Sequence, residues 1–160
     1  MKLTSKGRIA VTSLVDIDIN SQSGKPVSLS EISLRQNISL PFLEQIFLSL
    51  KKNGIVKSVR GPTGGYLFAK NPQHLKVYEV IKAIDEELKI TKCNGIDFGC
   101  LSKKKSKCLT HNLWKNLTNH ISFFLNSISI KDVSENSYDS ILSLNSKFQI
   151  EENIEITKRI

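Results

Sequence analysis

Within nineteen positions this 160-residue chain places four soft or borderline metal donors, Cys93, Cys100, Cys108 and His111. Three thiolates and an imidazole suit either a structural tetrahedral zinc or an iron-sulfur cluster. Zinc sites usually contain a closely spaced pair such as C-x2-C, and this sequence has none. Cys108 and His111 stand three apart at the start of a predicted helix, so both can point to one side. Lys103, Lys104, Lys105 and Lys107 lie beside the thiols. Such cations lower thiol pKa values, which eases metal loading and raises reactivity toward oxidants. Three cysteines are an odd number for a disulfide framework. A Cys108/His111 nucleophile would need an orienting third group and an oxyanion site, and no sequence signal marks either, so the chain reads as a non-enzyme. His74 and His120 have no evident partners.

The elements around these donors follow from local signals. Thr4 to about Asn20 is dense in apolar residues and reads as a largely buried helix. Ser21 to Pro26 is a turn. Ser28 and Glu31 then form a capping box, with Val27 and Ile32 placed as a hydrophobic staple, for a helix from Leu29 to about Gln36. Asn37 tolerates the left-handed exit. Ser39 caps a second helix with Pro41 in its first turn, and Leu43, Ile46, Phe47 and Leu50 give it an inward face. Asn53-Gly54 ends it. Two short helices joined by a tight turn, with Glu44 and Gln45 left outside, fit either a helix-turn-helix or an ordinary helical hairpin.

The next stretch favours the first. Ile55 to Val59 and Tyr66 to Ala69 read as strands joined by Arg60-Gly61-Pro62-Thr63-Gly64-Gly65, a hairpin placed where a winged helix carries its wing. An arginine at such a tip can enter a narrow minor groove, whose negative potential attracts guanidinium groups. Val77 to about Leu88 is another helix, with Val80, Ile81 and Ile84 inward. Periodicity disappears from Thr91 to Lys107, and a loop of that length is usually functional or disordered. Leu109, Leu113, Leu117, Ile121, Phe124 or Leu125 and Ile128 then recur at steps of three and four, a long amphipathic helix more economical as a dimer seam than as core.

Composition agrees with a nucleic-acid partner. The net charge is +8, and it is uneven: 18 Lys and Arg face 9 Asp and Glu up to residue 110, against 5 and 6 beyond it. A basic first two thirds suits a polyanion, since each neutralised phosphate releases counterions. With 39% hydrophobic and 24% charged residues the chain is globular. No apolar run approaches a membrane span and the start has no signal-peptide core, so no membrane association and a cytoplasmic location are expected.

The expected fold class is mainly α with a small β wing: a winged helix-turn-helix DNA-binding domain over 1–90, a cysteine-containing cluster-binding loop over 91–107, a dimerisation helix over 108–133 and a loosely ordered tail over 134–160. At this point MKLTSKGRIAVTSL, ISLPFLEQIFLSLKKNGIVKSVRGPTGGYL and CLTHNLW, in that order, resemble the IscR family of winged-helix iron-sulfur cluster assembly regulators over residues 1 to about 133. The resemblance implies a homodimeric transcriptional regulator, repressor or activator, that binds a 2Fe-2S cluster, a pseudo-palindromic double-stranded operator and the cluster donor machinery. It makes Cys93, Cys100, Cys108 and His111 the cluster ligands. It also places Glu44 and Gln45 in the groove, Arg60 in the minor groove, Thr4, Ser5 and Lys6 at the DNA backbone and Ser39 at the head of the recognition helix. The remaining alternatives are a nitric oxide or redox signal read by the same cluster, a zinc-stabilised DNA-binding protein without sensing, and an electron carrier.

Overall fold

A computed structural model describes residues 5–21, 24–84 and 110–137. Helix α1 (Ser5–Asn20) is followed by α2 (Leu29–Gln36) and α3 (Leu40–Lys52). The antiparallel strands β1 (Val56–Val59) and β2 (Gly65–Phe68) come next, then α4 (Val77–Ala83), α5 (His111–Ser127) and α6 (Ile130–Ser134). Fold class and element order agree with the expectation of a helical protein with a small β hairpin.

The local signals operate as physical chemistry requires. The Ser28 hydroxyl accepts from the Glu31 N–H while the Glu31 carboxylate accepts from the Ser28 N–H, so two orphan donors at the head of α2 are satisfied reciprocally. Asn37 takes the left-handed conformation (φ 52°), turning the chain sharply into α3. Ser39 occupies the N-cap of α3, but its side chain makes no capping bond. Such a hydroxyl usually accepts from the second or third helical N–H, and the second residue is Pro41, which has none.

One core joins these elements. Leu14, Ile17, Ile32, Leu43, Ile46, Phe47, Leu50 and Ile81 are all essentially inaccessible to solvent. The wing is tied to this body by its returning strand, because Tyr66 exchanges backbone bonds with Val27 (3.0 and 2.8 Å) and sets its ring edge-on to Phe47 at 4.9 Å. Gly65 is required there, since a Cβ would collide with the Val27 carbonyl.

The stretch expected as one helix over 108–133 is divided. Helix α5 stops at Ser127, Ile128 is extended, and Ser129 caps α6 with a second capping box. Ile128 and Ile130 are buried in the core, and backbone bonds run from Val77 to Ile128 (3.0 Å) and from Ile130 to Leu75 (2.9 Å). An ion pair extends the attachment, Lys131 with Asp18 of α1, and Lys131 also pairs with Glu135 within the segment itself. The segment after α5 therefore belongs to the same body as α1 and α4.

Candidate nucleic-acid interface and metal-donor segment

Helix α3 buries one face completely, and the opposite face is open. Pro41, Glu44, Gln45, Leu48, Lys51 and Lys52 are exposed. Neither Glu44 nor Gln45 has a hydrogen-bond or ionic partner among the described residues. Ser39, at the head of the helix, is exposed too. Lys51 donates to the Ser58 hydroxyl of β1 at 2.7 Å, which links the end of α3 to the first strand of the wing. Arg60 follows β1, exposed and without a partner among the described residues. The next residue, Gly61, has φ 120°, a conformation side-chain-bearing residues rarely adopt, and it lets the wing reverse immediately behind the arginine.

The entry to α3 is held by a buried carboxylate. Asp16 of α1 is 3% exposed and accepts from Arg35 Nη2 (2.6 Å), Arg35 Nε (3.1 Å) and Gln36 Nε2 (2.8 Å) at the end of α2. Burial raises its pKa, but the Arg35 and Gln36 hydrogen bonds, the Arg35 charge and a bond from Asn20 outweigh that and hold it below its ordinary value. These bonds tie the end of α2, where the turn into α3 begins, to α1. Ser5, Arg8, Ile9 and Thr12 form one face of α1 and, with Gln36 and Ile38, line a surface depression beside that turn. Arg8 was not singled out from the sequence, although the 5, 8, 9, 12 spacing marks a single helix face.

Lys6 is placed less simply than a free surface cation. Its ammonium donates to the Ile84 carbonyl at 2.9 Å, and the Asn53 amide, at the end of α3, donates to the Ala83 carbonyl at 3.0 Å. The end of α4, immediately before the segment that carries the cysteines, is thus held by one side chain from α1 and one from α3. Thr4, Cys93, Cys100 and Cys108 lie outside the described residues. His111 is the first residue of α5 and half-buried. Among the described residues no three His, Cys, Asp or Glu side chains gather into a metal site.

An open face with Glu44 and Gln45 unpaired on the second helix of a helix-turn-helix, followed by a wing with an arginine at its turn, is the geometry of a DNA reader. The Rrf2 family model, described as an iron-dependent transcriptional regulator, matches residues 3–136. This chain belongs to the Rrf2 family. Among curated relatives, the HTH-type transcriptional regulator IscR of Cronobacter sakazakii is 51% identical over 136 residues, covering 85% of this chain and 82% of that protein. The same regulator from Escherichia coli O1:K1 / APEC is 50% identical over equal shares. Among solved structures, T. potens IscR superposes with a TM-score of 0.68 at 31% identity, covering 88% of this chain and 90% of that one. The global cysteine regulator CymR of B. subtilis gives a TM-score of 0.70 at 23% identity over 85% and 98%, a likeness of fold alone. As an Rrf2 protein the chain is a winged-helix transcriptional regulator and not an enzyme. No helix among its described residues is long and apolar enough to cross a membrane.

Proposed function

We propose that this regulator binds a 2Fe-2S cluster through Cys93, Cys100, Cys108 and His111, binds a pseudo-palindromic operator as a homodimer, and controls genes for iron-sulfur cluster assembly from the cytoplasm. The observation that carries the reading is a Cys3His donor set on the same chain as the open face of α3 with its unpaired Glu44 and Gln45. The donor set fits the group: three thiolates with one imidazole match cluster ligation, and His111 opens a helix that fixes its backbone. When bound, the cluster would supply a group whose loss reports falling cluster supply, with the neutral imidazole making ligation sensitive to protonation.

The chain's own residues do the rest. Glu44 repels phosphate and is useful only where it accepts from cytosine N4, so it costs affinity on most sequences and discriminates among them. Gln45 can pair with the N6 and N7 edge of adenine. Arg60 enters the minor groove, while Ser39, Ser5 and Thr4 take backbone contacts. The Lys6 ammonium has three donors, so its bond to Ile84 leaves two for phosphate. Because Lys6 and Asn53 both hold the end of α4, a rearrangement of the segment beginning at residue 85 reaches α1 and α3 through these two bonds. The exposed apolar side of α5 supplies the dimer contact, and cluster delivery falls to the donor machinery.

The test is anaerobic purification, an absorption spectrum with iron, sulfide and zinc analysis, then DNA binding of cluster-loaded and cluster-free protein at one salt concentration. Two irons and two sulfides per chain, with site preference changing on cluster removal, is the expected result. A colourless zinc protein with unchanged DNA binding would remove the sensor and leave the winged helix standing. A cluster that responds to nitric oxide or oxidants, but not to cluster supply, would keep the sensor and change its signal.

A further inference from the structure

Leu48 stands where a soluble helix normally places a polar residue. It is 71% exposed and belongs neither to the core nor to the partly buried residues packed around it. With a rotation of about 100° per residue, Pro41, Glu44, Gln45, Lys51 and Lys52 spread over roughly 120° of the outer surface of α3, and Leu48 falls at the middle of that arc. The most outward side chain of the helix is therefore apolar, and apart from Pro41 it is the only exposed apolar residue of α3.

The surroundings specify what such a group can meet. Its helical neighbours on the exposed side are Glu44, Gln45, Lys51 and Lys52, so the apolar patch is one side chain wide, too small to dock a protein surface. The two lysines at the end of the helix suit a polyanion. In the major groove the single apolar feature of a base edge is the C5-methyl group of a pyrimidine. We infer that Leu48 is a specificity-determining residue that reads a pyrimidine C5-methyl group in the operator, one helical turn beyond the base read by Glu44. The inference rests on the proposed DNA-reading role of α3 and adds to it the class of base edge at one position. Four residues of α-helix advance about 6 Å and a duplex about 3.4 Å per base pair, so the methyl lies one to two base pairs from the Glu44-dependent cytosine.

Thymine and 5-methylcytosine both carry this methyl, and the experiment separates them. Operators are selected from a random duplex library with the full-length, anaerobically purified protein. In the preferred site each thymine is replaced singly by deoxyuridine, which removes only the methyl, and dissociation constants are measured at one salt concentration for wild type, Leu48→Ser and Leu48→Ala. One thymine per half-site, within two base pairs of the cytosine on which Glu44→Ala acts, should lose about fourfold in wild-type affinity on becoming uracil. The loss should vanish in both variants. Substituting cytosine and then 5-methylcytosine at that position should recover about the same factor in wild type only if the methyl itself is read. A uracil penalty equal in wild type and variants, or no penalty at any thymine, overturns the role of Leu48 while leaving DNA reading intact. Failure to select any duplex site overturns the reading of α3 and this inference with it.

Discussion

Helices α3 and α5 are both amphipathic, yet they close their apolar faces differently. In α3, Leu43, Ile46, Phe47 and Leu50 are buried inside the chain. In α5 no residue is buried, and Leu113, Trp114, Leu117, Phe123 and Phe124 are exposed. Periodicity alone makes the two look equivalent. The difference is where the complementary surface lies: α3 finds it on α1, α2 and the wing, whereas among the described residues α5 packs mainly against α4 and its apolar side chains are largely exposed. An apolar stripe of that extent fits the second copy of the chain that the proposed two-fold operator calls for.

The comparison breaks most severely at Phe47. Phe47→Ala removes a fully buried ring and its edge contact with Tyr66, and should cost about 3–5 kcal/mol in unfolding free energy, read by chemical denaturation. Leu117→Lys on α5 should act on assembly and not on folding. We expect self-association, measured by sedimentation equilibrium, to weaken by roughly 30- to 100-fold, equivalent to loss of one central apolar contact. An equal loss of folding stability in Leu117→Lys would show that α5 is closed within the chain after all.

The smallest effect concerns how α3 is aimed. Asp16→Asn leaves Arg35 without its ion pair and should cost about 2 kcal/mol, below the 3–5 typical of fully buried pairs because the Arg35 side chain is 36% exposed. The folded Asp16 carboxyl titrates below its ordinary 3.8, so its contribution is fully present at neutral pH and is lost as pH falls below that value. Thermal stability of wild type should therefore decline more steeply as pH falls from about 4 to 2 than that of Asp16→Asn. Parallel declines would show that the pair does not hold the turn.

What could be read from the chain beforehand divides along the same line. The capping box at Ser28 and Glu31, the Asn37 exit, the inward residues of α3 and the glycine-rich wing turn are local, because each is fixed by residues within a few positions of one another. Asp16 gave no such signal: an aspartate within an apolar helix looks like a surface residue until Arg35 and Gln36, some twenty positions away, close on it. Lys6 looked like a plain phosphate ligand because its carbonyl partner lies 78 positions further on. Ile128 continued the apolar pattern of α5, so the break between α5 and α6 was hidden by the same periodicity that revealed α5. Of the donor set, only His111 falls within the described residues; the three cysteines remain legible from the sequence alone.

The docking of residues 128–134 onto α1 and α4 bears on how the protein is made. Bonds such as those from Lys131 and Ser134 to Asp18 close over 113 and 116 positions, long-range contacts of the kind that slow folding. During synthesis the seats of Ile128 and Ile130 in this core can be filled only after the ribosome has released residues beyond Ser134, by which time Cys93, Cys100, Cys108 and His111 have all left the tunnel. The regulator thus cannot finish its DNA-binding body before every candidate ligand is available, and a chain truncated after residue 84 would present the binding unit with the seats of Ile128 and Ile130 empty.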